Sequence, residues 1–180
     1  MNRHSLNKMI ITAMCTALCV ILPLAFHAIP AGGKLFSPIH IPVLLCGLAC
    51  GMQYGAICGV LGPLISSFIT GMPAMGSLPP MILECVTYGF LAGLLIKVIR
   101  TRYSFINLYS SLIAAMIGGR VVAGIAKALY FSPGITIELW VTTYFAVSLP
   151  GIFLQLILIP PIVYALMRLK LIPKAGCTSL

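Results

Sequence analysis

Very few side chains in this sequence could carry out chemistry or bind a charged ligand. The acidic residues are Glu84 and Glu138, and Asp is absent from all 180 positions. Reactions that need several carboxylates around Mg²⁺, such as ATP hydrolysis, are therefore excluded within this chain. The seven Cys and three His do not cluster at the short spacings that zinc requires. We therefore expect neither a metal site nor a cofactor, and we do not expect an enzyme.

Glu84 is the acidic residue that stands inside an apolar stretch. Between Lys34 and Lys97 the chain carries no other charged side chain. A charge within a membrane-spanning segment costs about 2.5–3.5 kcal/mol on insertion scales, so it usually marks the path of a ligand or an ion. Arg120 and Lys127 are seven residues apart and share one helix face, which approaches the same outer side of the membrane. The chemistry that these charges predict is recognition of a small polar solute.

Two interpretations of these charges remain open. In the first, Glu84 and Arg120 form an internal ion pair that only locks two helices together. In the second, which we favour, they line a polar pocket that opens to the outside. The residues predicted to bind the solute are Glu84, Arg120, Lys127, Tyr88, Lys34, His40, Tyr144 and Ser148.

The composition is that of an integral membrane protein. Hydrophobic residues make up 61% of the chain and charged residues 7%, whereas a soluble domain carries about 25% charged residues. The net charge of +9 does not indicate nucleic-acid binding, because the basic residues flank apolar runs and form no patch. The Cys lie mainly within the apolar runs, where we expect them to act as small packing residues.

The apolar runs predict an all-α membrane protein, a single transmembrane domain over residues 1–180. Six helices are expected, at about 9–29, 39–51, 55–70, 79–98, 105–130 and 140–166. The second and third runs are short and are joined at Met52-Gln53-Tyr54, which leaves open a re-entrant pair. We expect Pro150 and Pro160-Pro161 to interrupt the last span.

Glycine spacing and basic residues predict how these spans are arranged. Small residues four apart, as in Gly47/Gly51, Gly55/Gly59 and Gly89/Gly93, favour close approach of neighbouring helices. If six spans alternate, one side of the membrane holds Arg3, Lys8, Lys97, Arg100, Arg102, Arg168, Lys170 and Lys174. Because basic residues concentrate on the cytoplasmic side, both termini are expected in the cytoplasm.

Several segments resemble one family. Six spans in 180 residues, Ala13-Met-Cys-Thr-Ala17 in the first helix, and the segment PLISSFITGMPAMGSLPPMILECVTYGFLAGLL resemble the substrate-binding S component of energy-coupling factor (ECF) vitamin transporters. The run HIPVLLCGLACGMQYGAICGVLGPL resembles the folate-and-pantothenate-type group of these proteins. The resemblance implies a six-helix membrane bundle in the plasma membrane of a prokaryote, with a vitamin bound near the outer face.

The resemblance also implies partners and a division of labour. Ala13 and Ala17 would dock on a membrane coupling subunit, which two cytoplasmic ATPases drive. Pantothenate is the expected substrate, since Arg120 could pair with its carboxylate and Glu84 could accept from its hydroxyl or amide groups. The alternatives are another vitamin (folate, cobalamin or a thiamine or pyridoxine precursor) or a stand-alone secondary transporter for a small polar solute.

Overall fold

The chain folds into a helical bundle. A computed structural model describes residues 3–26, 36–99, 104–128, 142, 147–169 and 171–172. These ranges contain no strand and six α-helices, with a short 3₁₀ turn at Met75–Ser77. The helices are α1 (Arg3–Phe26), α2 (His40–Cys50), α3 (Met52–Thr70), α4 (Leu78–Val98), α5 (Ser104–Ala126) and α6 (Leu149–Arg168).

Five of these helices, all but α2, are long and apolar enough to cross a membrane. The remaining helix, α2, has 11 residues. At 1.5 Å per residue it is about 16 Å long, roughly half of a 30 Å hydrocarbon core. The described residues thus contain five helices with the dimensions of a membrane span, one fewer than the six spans expected from the sequence.

The short helix α2 forms the centre of the bundle. All of its residues, from His40 to Cys50, are buried, and it contacts each of the other five helices. A helix that is apolar on every side is stable only when it is surrounded, and HIPVLLCGLAC has no polar face beyond its first residue. The sequence thus encodes an internal helix whose polar side chain, His40, stands at one end.

The connection between α2 and α3 differs from the predicted one. Met52-Gln53-Tyr54 begin α3 instead of joining two runs, and the break is the single residue Gly51, with φ +100°. This backbone conformation is accessible to Gly because it has no Cβ. The turn lies beside Lys97, and the neighbouring Cys50 thiol donates to the Lys8 carbonyl oxygen at 3.6 Å. Lys8 and Lys97 therefore share one end of the bundle.

That end also holds the end of α4, the start of α5 and the last turn of α6. The rings of Phe105, at the start of α5, and Tyr164, near the end of α6, lie 4.7 Å apart. We call this side, with Lys8, Lys97 and Arg168, the basic end of the bundle. The helices consequently alternate in direction along the chain.

Glycines allow α2, α3 and α4 to approach at the level of their backbones. A Cβ on either Gly47 or Gly55 would overlap the carbonyl oxygen of Gly89, and a Cβ on Gly89 would overlap that of Gly55. Gly93 approaches the backbone of Met52 in the same way. The predicted small-residue spacings thus correspond to a close three-helix contact that fixes the position of α4.

The turn before α4 is held by hydroxyl groups at the end of α3. Ser66 Oγ donates to the carbonyl oxygen of Met72, and Ser67 Oγ donates to that of Pro73, each at 2.8 Å. Helix α4 then begins at Leu78 with prolines in its first turn, where a missing N–H costs no helical hydrogen bond. These hydrogen bonds hold the turn that precedes α4, and Glu84 lies six residues after the start of that helix.

The last helix contradicts the predicted interruption at Pro160-Pro161. Pro160 and Pro161 lie inside a continuous helix, Leu149–Arg168, and Pro150 occupies its first turn. Proline at a first turn is compatible with helix geometry. The first helix also differs from the predicted run, since it already begins at Arg3 and is described as far as Phe26.

Candidate functional site

Four polar side chains from three helices meet in the interior of the bundle. His40 comes from the start of α2, Glu84 and Tyr88 from α4, and Arg120 from α5. Glu84 and Tyr88 are one helical turn apart and therefore share a face of α4. We refer to these four residues as the polar cluster.

Tyr88 connects the two charged members of the polar cluster. Arg120 Nε donates to the Tyr88 hydroxyl oxygen at 3.1 Å, and that hydroxyl donates to Glu84 Oε1 at 3.0 Å. The acid and the base are therefore joined through a phenol, whereas the sequence suggested a direct pair as one interpretation. Because a hydroxyl both accepts and donates, it can satisfy the guanidinium and the carboxylate at the same time.

His40 stands beside this chain of hydrogen bonds. Its Nε2 lies 3.9 Å from Glu84 Oε1, and its ring meets the Tyr88 ring edge-on at a centroid distance of 5.0 Å. Among the described residues, neither ring nitrogen has a hydrogen-bond partner. The backbone donors of His40 and Ile41 bond to carbonyl oxygens of the preceding turn. The imidazole nitrogens are thus the groups at this helix start that could bind a solute.

Because the polar cluster is buried, it limits the charges that a bound solute can carry. Tyr88, Arg120 and His40 are 1%, 4% and 5% exposed, and the Glu84 side chain is 14% exposed. With a neutral imidazole, the formal charges of Glu84 and Arg120 cancel. An additional buried charge is costly unless it finds a partner, so a bound solute must present groups that match these donors and acceptors.

The polar cluster lies in the half of the bundle away from the basic end. Glu84 is six residues after the start of α4, and Arg120 is six residues before the end of α5. Each is therefore about 9 Å from its helix end at 1.5 Å per residue.

The other predicted binding residues are placed less centrally or fall outside the described residues. Lys127 is half-buried and follows Arg120 by two helical turns, about 10 Å along the axis. Ser148 is half-buried at the N-cap position of α6. Lys34 and Tyr144 lie outside the described residues. The structure therefore brings together His40, Glu84, Tyr88 and Arg120 from the predicted set.

Buried polar side chains outside the polar cluster include Asn107 and Ser111 on α5 and Gln155 on α6. Gln155 on α6 is buried, as are Ile159 and Val163, which follow it at intervals of four residues. This spacing places the three on one helix face. The helical spacing of Gln155 from Tyr144 and Ser148 along the last predicted span is the signal in the sequence that indicates it as a further polar group of the pocket.

The cysteines in the described part of the chain are buried thiols that line contacts between helices. Six of them, Cys15, Cys19, Cys46, Cys50, Cys58 and Cys85, are buried without disulfides. Cys46, for example, bonds to Thr12 Oγ1 and to the carbonyl oxygen of Tyr54, each at 3.5 Å. Within the described parts of the chain, no group of three His, Cys, Asp or Glu is arranged to hold a metal ion.

Ala13 and Ala17 lie on the opposite side of α1 from these thiols. Both alanines are exposed, whereas Cys15 and Cys19 on the same helix are buried. The exposed face offers small side chains over two successive helical turns, flanked by larger residues such as Met14. A second helix could approach α1 closely at this place.

The fold and the polar cluster define a multi-pass helical membrane protein with a polar site inside one half of the bundle. The family model for the ECF transporter, substrate-specific component, matches residues 7–163. The chain therefore belongs to the family of substrate-specific components of ECF transporters. No curated protein and no solved structure matches it. Membership of this family makes the chain a transporter subunit that associates with an ECF module of a coupling subunit and ATPases.

Proposed function

We propose that this S component binds pantothenate at the polar cluster and delivers it for uptake. The observation that carries the proposal is the chain of hydrogen bonds from Arg120 through Tyr88 to Glu84. The His40 imidazole lies beside this chain and has no hydrogen-bond partner among the described residues. A transporter subunit of this family needs a site that recognises a small polar molecule. Buried ionisable residues within membrane spans usually serve such a path.

The groups of pantothenate match the groups of the polar cluster. Its carboxylate suits the Arg120 guanidinium, which offers a planar fork of donors that a carboxylate accepts. Its hydroxyls and amide N–H can donate to Glu84, whose Oε1 already accepts from Tyr88. The His40 ring can both accept and donate in its neutral form. Folate, cobalamin and a thiamine or pyridoxine precursor are the alternative substrates.

The proposal includes a location and an assembly. Both termini lie in the cytoplasm of a prokaryote, at the basic end of the bundle, and the polar cluster lies toward the outer face of the plasma membrane. Ala13 and Ala17 dock on the membrane coupling subunit, and two cytoplasmic ATPases provide the energy. The exposure of both alanines on α1 supports this docking role.

Calorimetry on the purified protein tests the substrate. Replacing Arg120 by Gln removes a charge-assisted hydrogen bond of about 1.5–3 kcal/mol, so pantothenate binding should weaken by about one to two orders of magnitude. Arg120→Lys should not restore it fully, because an ammonium lacks the planar fork. Lys97→Gln is the matched control, since it removes one basic residue at the exposed basic end. The control should bind pantothenate like the unmodified protein.

A double variant separates binding from a purely structural role. If Glu84 and Arg120 served only each other, Glu84→Gln/Arg120→Gln should bind better than either single variant, because no charge is left unpaired. We expect it to bind no better than Arg120→Gln. Tight binding of another vitamin, with none of pantothenate, would replace the substrate assignment while leaving the family assignment intact.

A further inference from the structure

Gln155 is a buried amide whose donor group is unused among the described residues. The residue is 1% exposed, and its Nε2 has no hydrogen-bond partner within the described part of the chain. A buried polar group without a partner costs about 1–3 kcal/mol. Most buried polar groups in proteins are paired, so an unpaired one calls for an explanation such as a ligand.

The amide projects from the inner face of α6. Gln155 shares this face with Ile159, Val163 and Met167, all of them buried. Helix α6 contacts α2 and α5, which carry His40 and Arg120. The side chain therefore belongs to the stripe of α6 that faces the centre of the bundle.

Counting along the helices places Gln155 at the height of the polar cluster. Thirteen residues separate Gln155 from Arg168 at the basic end, and thirteen separate Glu84 from Lys97 at the same end. Both intervals correspond to about 20 Å of helix. The stripe from Gln155 to Met167 also spans about 18 Å, close to the length of α2, whose outermost residue is His40.

We propose that Gln155 is a specificity-determining residue that donates a hydrogen bond from Nε2 to a carbonyl oxygen of the bound vitamin. This inference rests on the proposed function of the polar cluster as the vitamin site. A site built with a buried donor discriminates against ligands that lack the matching acceptor, because such a ligand leaves the donor unpaired. In pantothenate the matching group is the amide carbonyl oxygen.

Two substitutions at this position distinguish donation from acceptance. Gln155→Met keeps the length of the side chain but removes its polar groups, and Gln155→Glu replaces the NH₂ donor by an acceptor. Calorimetry with pantothenate should give affinity about tenfold lower for the Met variant and lower still for the Glu variant. Gln53→Met is the matched control, because Gln53 is exposed at the start of α3. The control should bind like the unmodified protein.

Thermal unfolding of the ligand-free protein separates ligand binding from a structural role. Removing an unpaired buried amide should leave the melting temperature of Gln155→Met unchanged or raise it. Unaltered affinity, a lower ligand-free melting temperature, or tighter binding by Gln155→Glu than by Gln155→Met would each overturn the inference.

If pantothenate does not bind the unmodified protein, the substrate proposal fails by itself. The variants are then titrated with whichever B vitamin raises the melting temperature of the unmodified protein. If none does, the proposed function fails, and the inference that rests on it is overturned with it.

Discussion

Tyr88 satisfies two opposite charges with a single hydroxyl group. It accepts from Arg120 on α5, donates to Glu84 on its own helix, and presents its ring to His40 on α2. Three helices thus depend on one side chain for the geometry of the polar cluster. Low polarity around a buried network strengthens each hydrogen bond and also raises the cost of leaving one unmade.

Replacing Tyr88 by Phe should therefore weaken both the fold and the site. The ring is kept, but Arg120 Nε loses an acceptor and Glu84 loses a donor, at a cost of about 1–3 kcal/mol. Thermal unfolding and vitamin binding of the purified protein measure the two effects. Tyr164→Phe is the matched control, since its hydroxyl also accepts from an arginine, Arg168, but in an exposed place. Equal losses in both variants would contradict a special role for the buried hydroxyl.

At the level of helices, the bundle is built around α2, and glycines allow α3 and α4 to pack closely against it. The buried α2 bears His40 at one end and meets α1 at the other, through the Cys50 thiol and the Lys8 carbonyl. Helices α3 and α4 touch through Gly55 and Gly89, where backbone meets backbone. Close packing of small residues stabilises helix pairs in membranes, where no hydrophobic force between helices operates.

Gly89→Ala should separate α3 from α4. The added methyl group overlaps the Gly55 carbonyl, and overpacking of this kind costs about 1–3 kcal/mol. The melting temperature in detergent should fall measurably. Gly76→Ala offers the matched control, because a Cβ there meets nothing within 4 Å. An unchanged melting temperature for Gly89→Ala would show that the three-helix contact does not limit stability.

The exposed face of α1 gives a second prediction at this scale. Ala13→Leu with Ala17→Leu should hinder close approach of a coupling subunit, while vitamin binding by the isolated S component should survive. Uptake into cells or vesicles that contain the ECF module should then be lost. Ala165→Leu, on an exposed face of α6, serves as control and should transport normally. Normal uptake by the double variant would refute the docking role.

At the scale of the whole molecule, the basic end supports the orientation that we propose. Lys8, Lys97 and Arg168 gather there, while the turn at Met75–Ser77 lies at the opposite end of α4. Retention of basic residues on the cytoplasmic side then places the polar cluster toward the outside. An outward-facing site is what uptake from the surroundings requires.

Labelling of introduced cysteines tests this orientation. In a protein whose Cys177 is replaced by Ser, an impermeant thiol reagent added to intact cells should modify Ser77→Cys and leave Lys97→Cys unmodified. Both positions are exposed, so accessibility of the side chain is matched between the two variants. Labelling of Lys97→Cys alone would reverse the orientation and with it the proposed direction of vitamin entry.

Several properties of this protein followed from the sequence alone because they depend on composition and local periodicity. An apolar content of 61% predicts a membrane protein, and runs of apolar residues predict helices. Glu84 and Tyr88, four residues apart, had to share a face of α4. The glycine spacings predicted close helix contacts, since such spacing aligns small residues along one side of a helix.

Other properties were decided by tertiary structure, because they depend on which faces meet. An apolar run such as His40–Cys50 fits a short span, a re-entrant segment or a core helix equally well, and only its five neighbours make it a buried core. The link from Arg120 to Glu84 runs through Tyr88 because α4 and α5 pack at that height. Gln155 points inward because α6 packs against α2 and α5. Local periodicity specifies the face on which a side chain lies, whereas long-range packing selects its partners.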